Sequence, residues 1–145
     1  MDLGANEALE QHSKKVLSQL PEVFKQVQDI NKDLLNNVDI QNMGRYYTHL
    51  DKLTGLYASL IVEFKQISAY KENKEMEFFN ELLLTANYNN EKFVAETSKR
   101  EASLYVSPLR MARDIIDGHL QACTMAIATC KARIYASKEE KKYDI

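Results

Sequence analysis

Tryptophan is absent from this chain, and glycine, proline and cysteine are scarce: four, two and two in 145 residues. So few turn formers exclude an all-β sandwich, which needs a Gly, Pro, Asn or Asp turn about every 8–12 residues. No run approaches the ~18 consecutive apolar residues of a membrane span. The opening MDLGANEALEQH has neither a basic n-region nor an apolar h-region, so it does not read as a signal peptide. A length of 145 residues predicts one domain. Such a domain buries ~70% of its unfolded surface and needs no metal or disulfide staple. Composition therefore predicts a soluble, cytoplasmic, helical protein.

Phosphate-binding and hydrolase motifs are missing too. The chain contains no GxGxxG, GxxxxGK[ST] or GxSxG, and its four glycines are scattered. His12 and His49 have no Cys, His, Asp or Glu three or four residues away, so neither begins a helical metal site. His119 and Cys123 share a helix face but supply two ligands, where a structural zinc takes four and a catalytic one about three. The paired Glu-x-x-His pattern of di-iron bundles is absent. Neither an enzyme nor a cofactor is expected. Cys123 and Cys130 are seven apart on one face, about 10 Å along the axis, too far to pair while the helix is intact. They read as small core residues.

What is present is apolar periodicity. Val16, Leu20, Val23, Val27, Ile30 and Leu34 follow a 3.5-residue seam that Leu17 and Phe24 widen. Pro21 kinks or splits that helix. After a turn at Asn36-Asn37-Val38-Asp39, with Asp39 a candidate N-cap, a longer seam begins. It comprises Met43, Tyr46, Leu50, Leu53, Tyr57, Leu60, Phe64 and Ile67, which casts Tyr46 and Tyr57 as core. Continued through Phe78, Phe79, Leu82 and Leu83, that helix is some 44 residues and about 65 Å long. Lys71 and Lys74 occupy positions where the seam predicts apolar residues. The run Asn87-Tyr88-Asn89-Asn90 is a second turn, suited to left-handed backbone.

A third segment starts near Glu91, and Ser107-Pro108 supplies a start signal for a fourth, or a kink in a continuous one. Leu109, Ala112, Ile116, Leu120, Cys123, Ile127, Cys130 and Ile134 form its stripe, with Gly118 tolerated at a close helix crossing. The expected fold is all-α: an elongated antiparallel hairpin or bundle of three to four helices with coiled-coil-like seams. A single domain over 1–145 carries helices near 6–35, 40–86, 91–106 and 108–137 and a frayed tail at 138–145.

Charge is uneven. Residues 1–91 carry a balance of −5 and residues 92–145 one of +3, within a net −2 and a pI near 5.9. An acidic first part and a basic last part suggest an anionic partner for the latter, or attraction between the two parts. Lys99, Arg100, Arg110, Arg113, Lys131, Arg133, Lys138, Lys141 and Lys142 offer a row for phosphates. Local alternatives exist in i,i+4 pairs of Glu96 with Arg100, Arg110 with Asp114 and Arg113 with Asp117. Lys131 and Arg133 have no such neighbour. Tyr47, Tyr70, Tyr88, Tyr105 and Tyr135 remain open as stacking platforms for unpaired bases.

The long helix carries Leu56-Tyr57, Glu63-Phe64-Lys65 and Ala69-Tyr70-Lys71-Glu72. After the turn come Lys99-Arg100-Glu101-Ala102, then Leu109 to Ile116, and finally Ala126 to Tyr135. This pattern over residues 50–138 resembles the small helical recombination mediators of tailed phages, the UvsY-like family. The N-terminal helix and the acidic pI depart from it. The resemblance implies a non-enzymatic homo-oligomer, acting in the host cytoplasm, that binds single-stranded DNA. Such a mediator helps a recombinase displace the single-strand-binding protein and load. Carried to matching positions, the resemblance makes Lys99, Arg100, Lys131 and Arg133 phosphate contacts, and charge alone adds Arg110 and Arg113. The competing expectation is a helical protein–protein adaptor or inhibitor that uses exposed seam or the 71–77 charge run, with no nucleic-acid contact.

Overall fold

The computed structural model describes residues 3–38 and 41–142, the side chains of 3–5 excepted. Asp39, the candidate cap, and residues 143–145 of the tail lie outside the described residues. The described chain is all-α, five helices and no strand: α1 (Leu3–Ser18), α2 (Pro21–Asn36), α3 (Met43–Tyr88), α4 (Ala95–Tyr105) and α5 (Ser107–Lys142).

Proline and asparagine set the boundaries. Pro21 stands at the first helical position of α2, where its missing N–H costs nothing, so the N-terminal pattern splits rather than kinks. Buried Leu20 is the N-cap of α2, and its carbonyl accepts from the Phe24 amide at 3.0 Å. α3 ends at the asparagine run. Asn90 is left-handed at φ 53°, the amide of Asn90 donates to Asn87 at 3.3 Å, and that of Glu91 to Ala86 at 2.9 Å. These are the two bonds of a Schellman motif. The segment expected to be helical from Glu91 is extended at Val94 and becomes helix only at Ala95. There Phe93 packs edge-on against Phe79, 5.5 Å between centroids. A one-residue break at buried Val106 separates α4 from α5. Ser107 lies inside α5, so Pro108 is in the first turn but not first. α5 stays helical to Lys142, past the point where fraying was expected.

Two compact units result, Met1–Gln19 with Glu63–Ile115, and Leu20–Val62 with Ile116–Ile145. In the first, α1, the later half of α3, α4 and the first turns of α5 meet. Leu9, Val106 and Leu109 form a buried cluster flanked by Tyr70 and Tyr105. His12 stacks on Tyr70 at 4.2 Å, and Phe78 stacks on Tyr105 at 4.3 Å. Lys71 and Lys74 do not break α3. Lys71 is mostly buried and paired with Glu75 at 3.2 Å, and Lys74 pairs with Glu77 at 3.3 Å. Long aliphatic stems let both occupy a seam while their charges find partners.

In the second unit three helices touch pairwise. The Cys123 thiol lies 3.4 Å from the Leu53 carbonyl, and Arg133 lies over the Tyr46 ring, so α5 runs antiparallel to α3. Asn31 of α2 donates to the Ala122 carbonyl at 3.3 Å, and Phe24 stacks on His119 at 3.9 Å. Asp33 of α2 accepts from Arg45 and His49 of α3.

Deeply buried positions recur every seven residues: Leu20 at the N-cap of α2 with Val27 and Leu34 inside it; Tyr46, Leu53, Leu60 and Ile67 in α3; Leu109, Ile116, Cys123, Cys130 and Ser137 in α5. That is the spacing the sequence predicts for a seam facing other helices. One seam position is corrected. Tyr57 is 36% exposed and Leu56 is buried in its place. The two flank the Leu53–Leu60 line on opposite edges of the stripe, about 100° apart, and the residue without a hydroxyl goes inward. Gly118 is corrected as well: a Cβ built there meets nothing within 4 Å, so no close crossing requires it. Gly118→Ala is therefore expected to stabilise the helix by about 1 kcal/mol, a gain readable by thermal melting followed by circular dichroism. A lower melting temperature would show that the position is crowded after all.

Candidate nucleic-acid interface

The last three turns of α5 combine straight-chain residues and alanine with a basic end, Lys141 and Lys142 in the final turn. That composition favours helix and complements its dipole. Burial of Cys130, Ile134 and Ser137 fixes the phase of the helix. With that face inward, Lys131, Tyr135, Lys138 and Lys142 form one exposed row at steps of four, three and four, about 16 Å long at 1.5 Å per residue. The row itself contains no carboxylate. Among the described residues neither Lys131 nor Lys138 has an ion pair, and Lys142 is held by Glu139 at 3.1 Å. Tyr135 stands in the middle, 66% exposed.

The six residues singled out from sequence are placed differently from one another. Lys99, Arg100, Arg110 and Arg113 belong to the first unit, Lys131 and Arg133 to the second. Lys99, Arg100 and Lys131 are exposed. Lys99 also lines a cavity of about 340 Å³ with Glu72, Glu75, Met76, Phe79 and Ala102, where two carboxylates share its surroundings. Arg110 turns back onto Ser103, bonding its carbonyl at 2.9 Å and its hydroxyl. It does not pair with Asp114 as the spacing suggests. That carboxylate is taken by Arg113 at 3.0 Å, while Asp117 accepts from Gln121 at 2.9 Å. Arg133 is half-buried over the ring of Tyr46, 5.5 Å from its centroid, with Nη1 buried and without an acceptor. Three of the six guanidinium or ammonium groups thus have work inside the fold.

Of the open tyrosines, Tyr70 and Tyr105 are absorbed into the stacks of the first unit, whereas Tyr47, Tyr88 and Tyr135 are exposed. Only Tyr135 of these sits between lysines on one helix face. The sequence names Lys138 in the basic row and Tyr135 among the open tyrosines, but neither is among the six expected contacts, and nothing in the spacing alone joins them. The signal that finds them is the phase of Cys130 and Ile134, which forces residues 131, 135 and 138 outward together.

Other chemistry is directed inward. Among the described residues no group of three or more His, Cys, Asp or Glu is placed to hold a metal ion. The His119 ring lies on Phe24, and burial pushes its pKa down, favouring the neutral imidazole. Burial pushes both thiols up, Cys130 against the opposing pull of Arg133, which leaves little thiolate to react. Among the described residues no helix is long and apolar enough to cross a membrane. No protein-family model matches the chain, and no curated protein or solved structure shows a significant similarity to it.

Proposed function

We propose that this chain is a non-enzymatic, single-stranded-DNA-binding accessory protein of the recombination-mediator type, which helps a recombinase load. The reading takes its family from the sequence resemblance to UvsY-like mediators. A phage source, a cytoplasmic site of action and self-association go with it. So does the finer architecture expected from the sequence, an antiparallel hairpin or bundle of three to four helices with coiled-coil-like seams. The observation that carries it is the carboxylate-free row Lys131, Lys138 and Lys142 on α5, with two of its three ammonium groups free of ion pairs among the described residues. Unpaired cations aligned on a helix release counterions when they neutralise phosphates, and this drives binding without base-specific contacts.

The test is titration of a fluorescent oligonucleotide at several salt concentrations, with oligomer size followed by sedimentation. Each phosphate neutralised on a single strand contributes about −0.7 to the slope of log K against log salt. The double variant Lys131→Ala, Lys138→Ala is therefore expected to flatten the slope by about 1.4 and to weaken binding. Absence of binding at low salt would sink the reading.

A second reading, a helical adaptor that engages a protein partner, is favoured by one feature of the first unit. Leu104 and Met111 are 64% and 66% exposed there, with Ile115 one turn beyond Met111, more apolar surface than that short stretch needs. In the oligonucleotide titration this reading predicts no binding.

A further inference from the structure

Phosphate contacts do not tell a single strand from a duplex, because both present the same anions. Something else on the lysine row has to make that distinction, and the row contains one group suited to it. Tyr135 lies four residues after Lys131 and three before Lys138, about 6 Å and 4.5 Å along the axis. It is 66% exposed and, among the described residues, its ring enters none of the aromatic stacks. Packing does not require it, since Cys130, Ile134 and Ser137 fill the inward face of the same turns.

We infer that Tyr135 is the stacking platform by which α5 selects unpaired polynucleotide over duplex. This rests on the nucleic-acid reading above and names the residue by which the site distinguishes the strand form. A base laid on the ring has its two flanking phosphates directed along the strand, toward Lys131 on one side and Lys138 on the other. A duplex keeps its bases stacked on each other and offers the ring no free face. Stacking on an aromatic side chain tolerates any sequence, because every base has a π-face. The site therefore takes a single strand of any sequence.

The experiment compares the full chain with Tyr135→Ala, Tyr135→Phe and the double lysine variant. Each is titrated against a labelled oligo-dT of about 20 nucleotides and a blunt duplex of the same length, with helix content checked by circular dichroism. Tyr135→Ala is expected to weaken oligo-dT binding about tenfold, with duplex binding and the salt slope unchanged. Tyr135→Phe is expected to bind as the parent does. The double lysine variant is expected to lose affinity for both probes. If Tyr135→Ala binds oligo-dT as the parent does, or loses both probes equally, the inference falls while the lysine result still supports the function. A Tyr135→Phe variant as weak as Tyr135→Ala would overturn stacking in favour of the hydroxyl. A parent chain that binds neither probe overturns the function and the inference together.

Discussion

Leu53→Ala is expected to cost about 3 kcal/mol of stability, roughly 6–12 °C in melting temperature for a chain of this size. Tyr57→Ala, four residues further along the same seam, should cost less than about 1 kcal/mol. The contrast follows from position. Leu53 is fully buried beneath α5, with its carbonyl 3.4 Å from the Cys123 sulfur, so truncation leaves a cavity that a packed helix pair cannot collapse around. Tyr57 already has a third of its surface in water. Thermal and urea unfolding of the two variants would measure both. Equal losses would mean that the seam turns at Tyr57 and not at Leu56.

The second large effect concerns Asp33. Its carboxylate, on α2, accepts from His49 Nε2 at 2.7 Å, from Arg45 Nε at 2.9 Å and Nη2, and from Asn37 Nδ2 at 2.9 Å. Arg45 and His49 both come from α3, so one carboxylate joins two helices of its unit. Asp33→Ala strands a guanidinium and an imidazole that are both mostly buried, at a cost of about 2 kcal/mol. The pH dependence has a definite sign. The His49 hydrogen bond, then those of Arg45 and Asn37 against the opposing effect of burial, hold the Asp33 carboxyl below the usual carboxylate range. A carboxyl with a lowered folded pKa contributes stability above its unfolded value of about 3.9 and loses it as the pH falls through the folded value. Unfolding followed from about pH 7 into the acid range should therefore show the parent and Asp33→Ala converging at low pH. A stability gap that persists unchanged to the lowest pH would remove the charge from the account.

Much of the helical frame is legible in the sequence. The 3.5-residue recurrence of Leu20, Val27, Leu34, Leu53, Leu60, Ile116 and Cys130 needs nothing but the sequence, because a stripe that stays on one face of a helix has to be covered. The turn at Asn87–Asn90 is equally readable, from the tolerance of asparagine for left-handed backbone, whereas Pro21 leaves a kink and a split both open. Three things are not legible. The choice between Leu56 and Tyr57 depends on a rotation of α3 that both satisfy almost equally. The late start of α4 at Ala95 follows from the packing of Phe93 on Phe79, a contact between distant residues. The fate of the arginines was hidden for the same reason, since helical spacing pairs Arg110 with Asp114 while the fold offers Ser103. For the candidate site, the charges of the row were legible, but their common face and the exposure of Tyr135 required the helix phase.

One consequence of the α5 seam concerns girth rather than hydrophobicity. From Leu109 through Ile116, Cys123 and Cys130 to Ser137, each heptad position is as slender as the last or more so. In the second unit the antiparallel partner thickens in the matching direction, from Leu60 and Leu53 to the ring of Tyr46, which meets the slender end near Arg133. The apolar repeat alone would accept a slip of one heptad, because every seventh residue is equivalent to it. The taper does not accept it. Slipped one way, Ile116 is driven against Leu53, and slipped the other, Cys123 leaves a void beside Leu60. The two helices mesh like a wedge in its slot, with oiliness choosing the face and thickness choosing the notch.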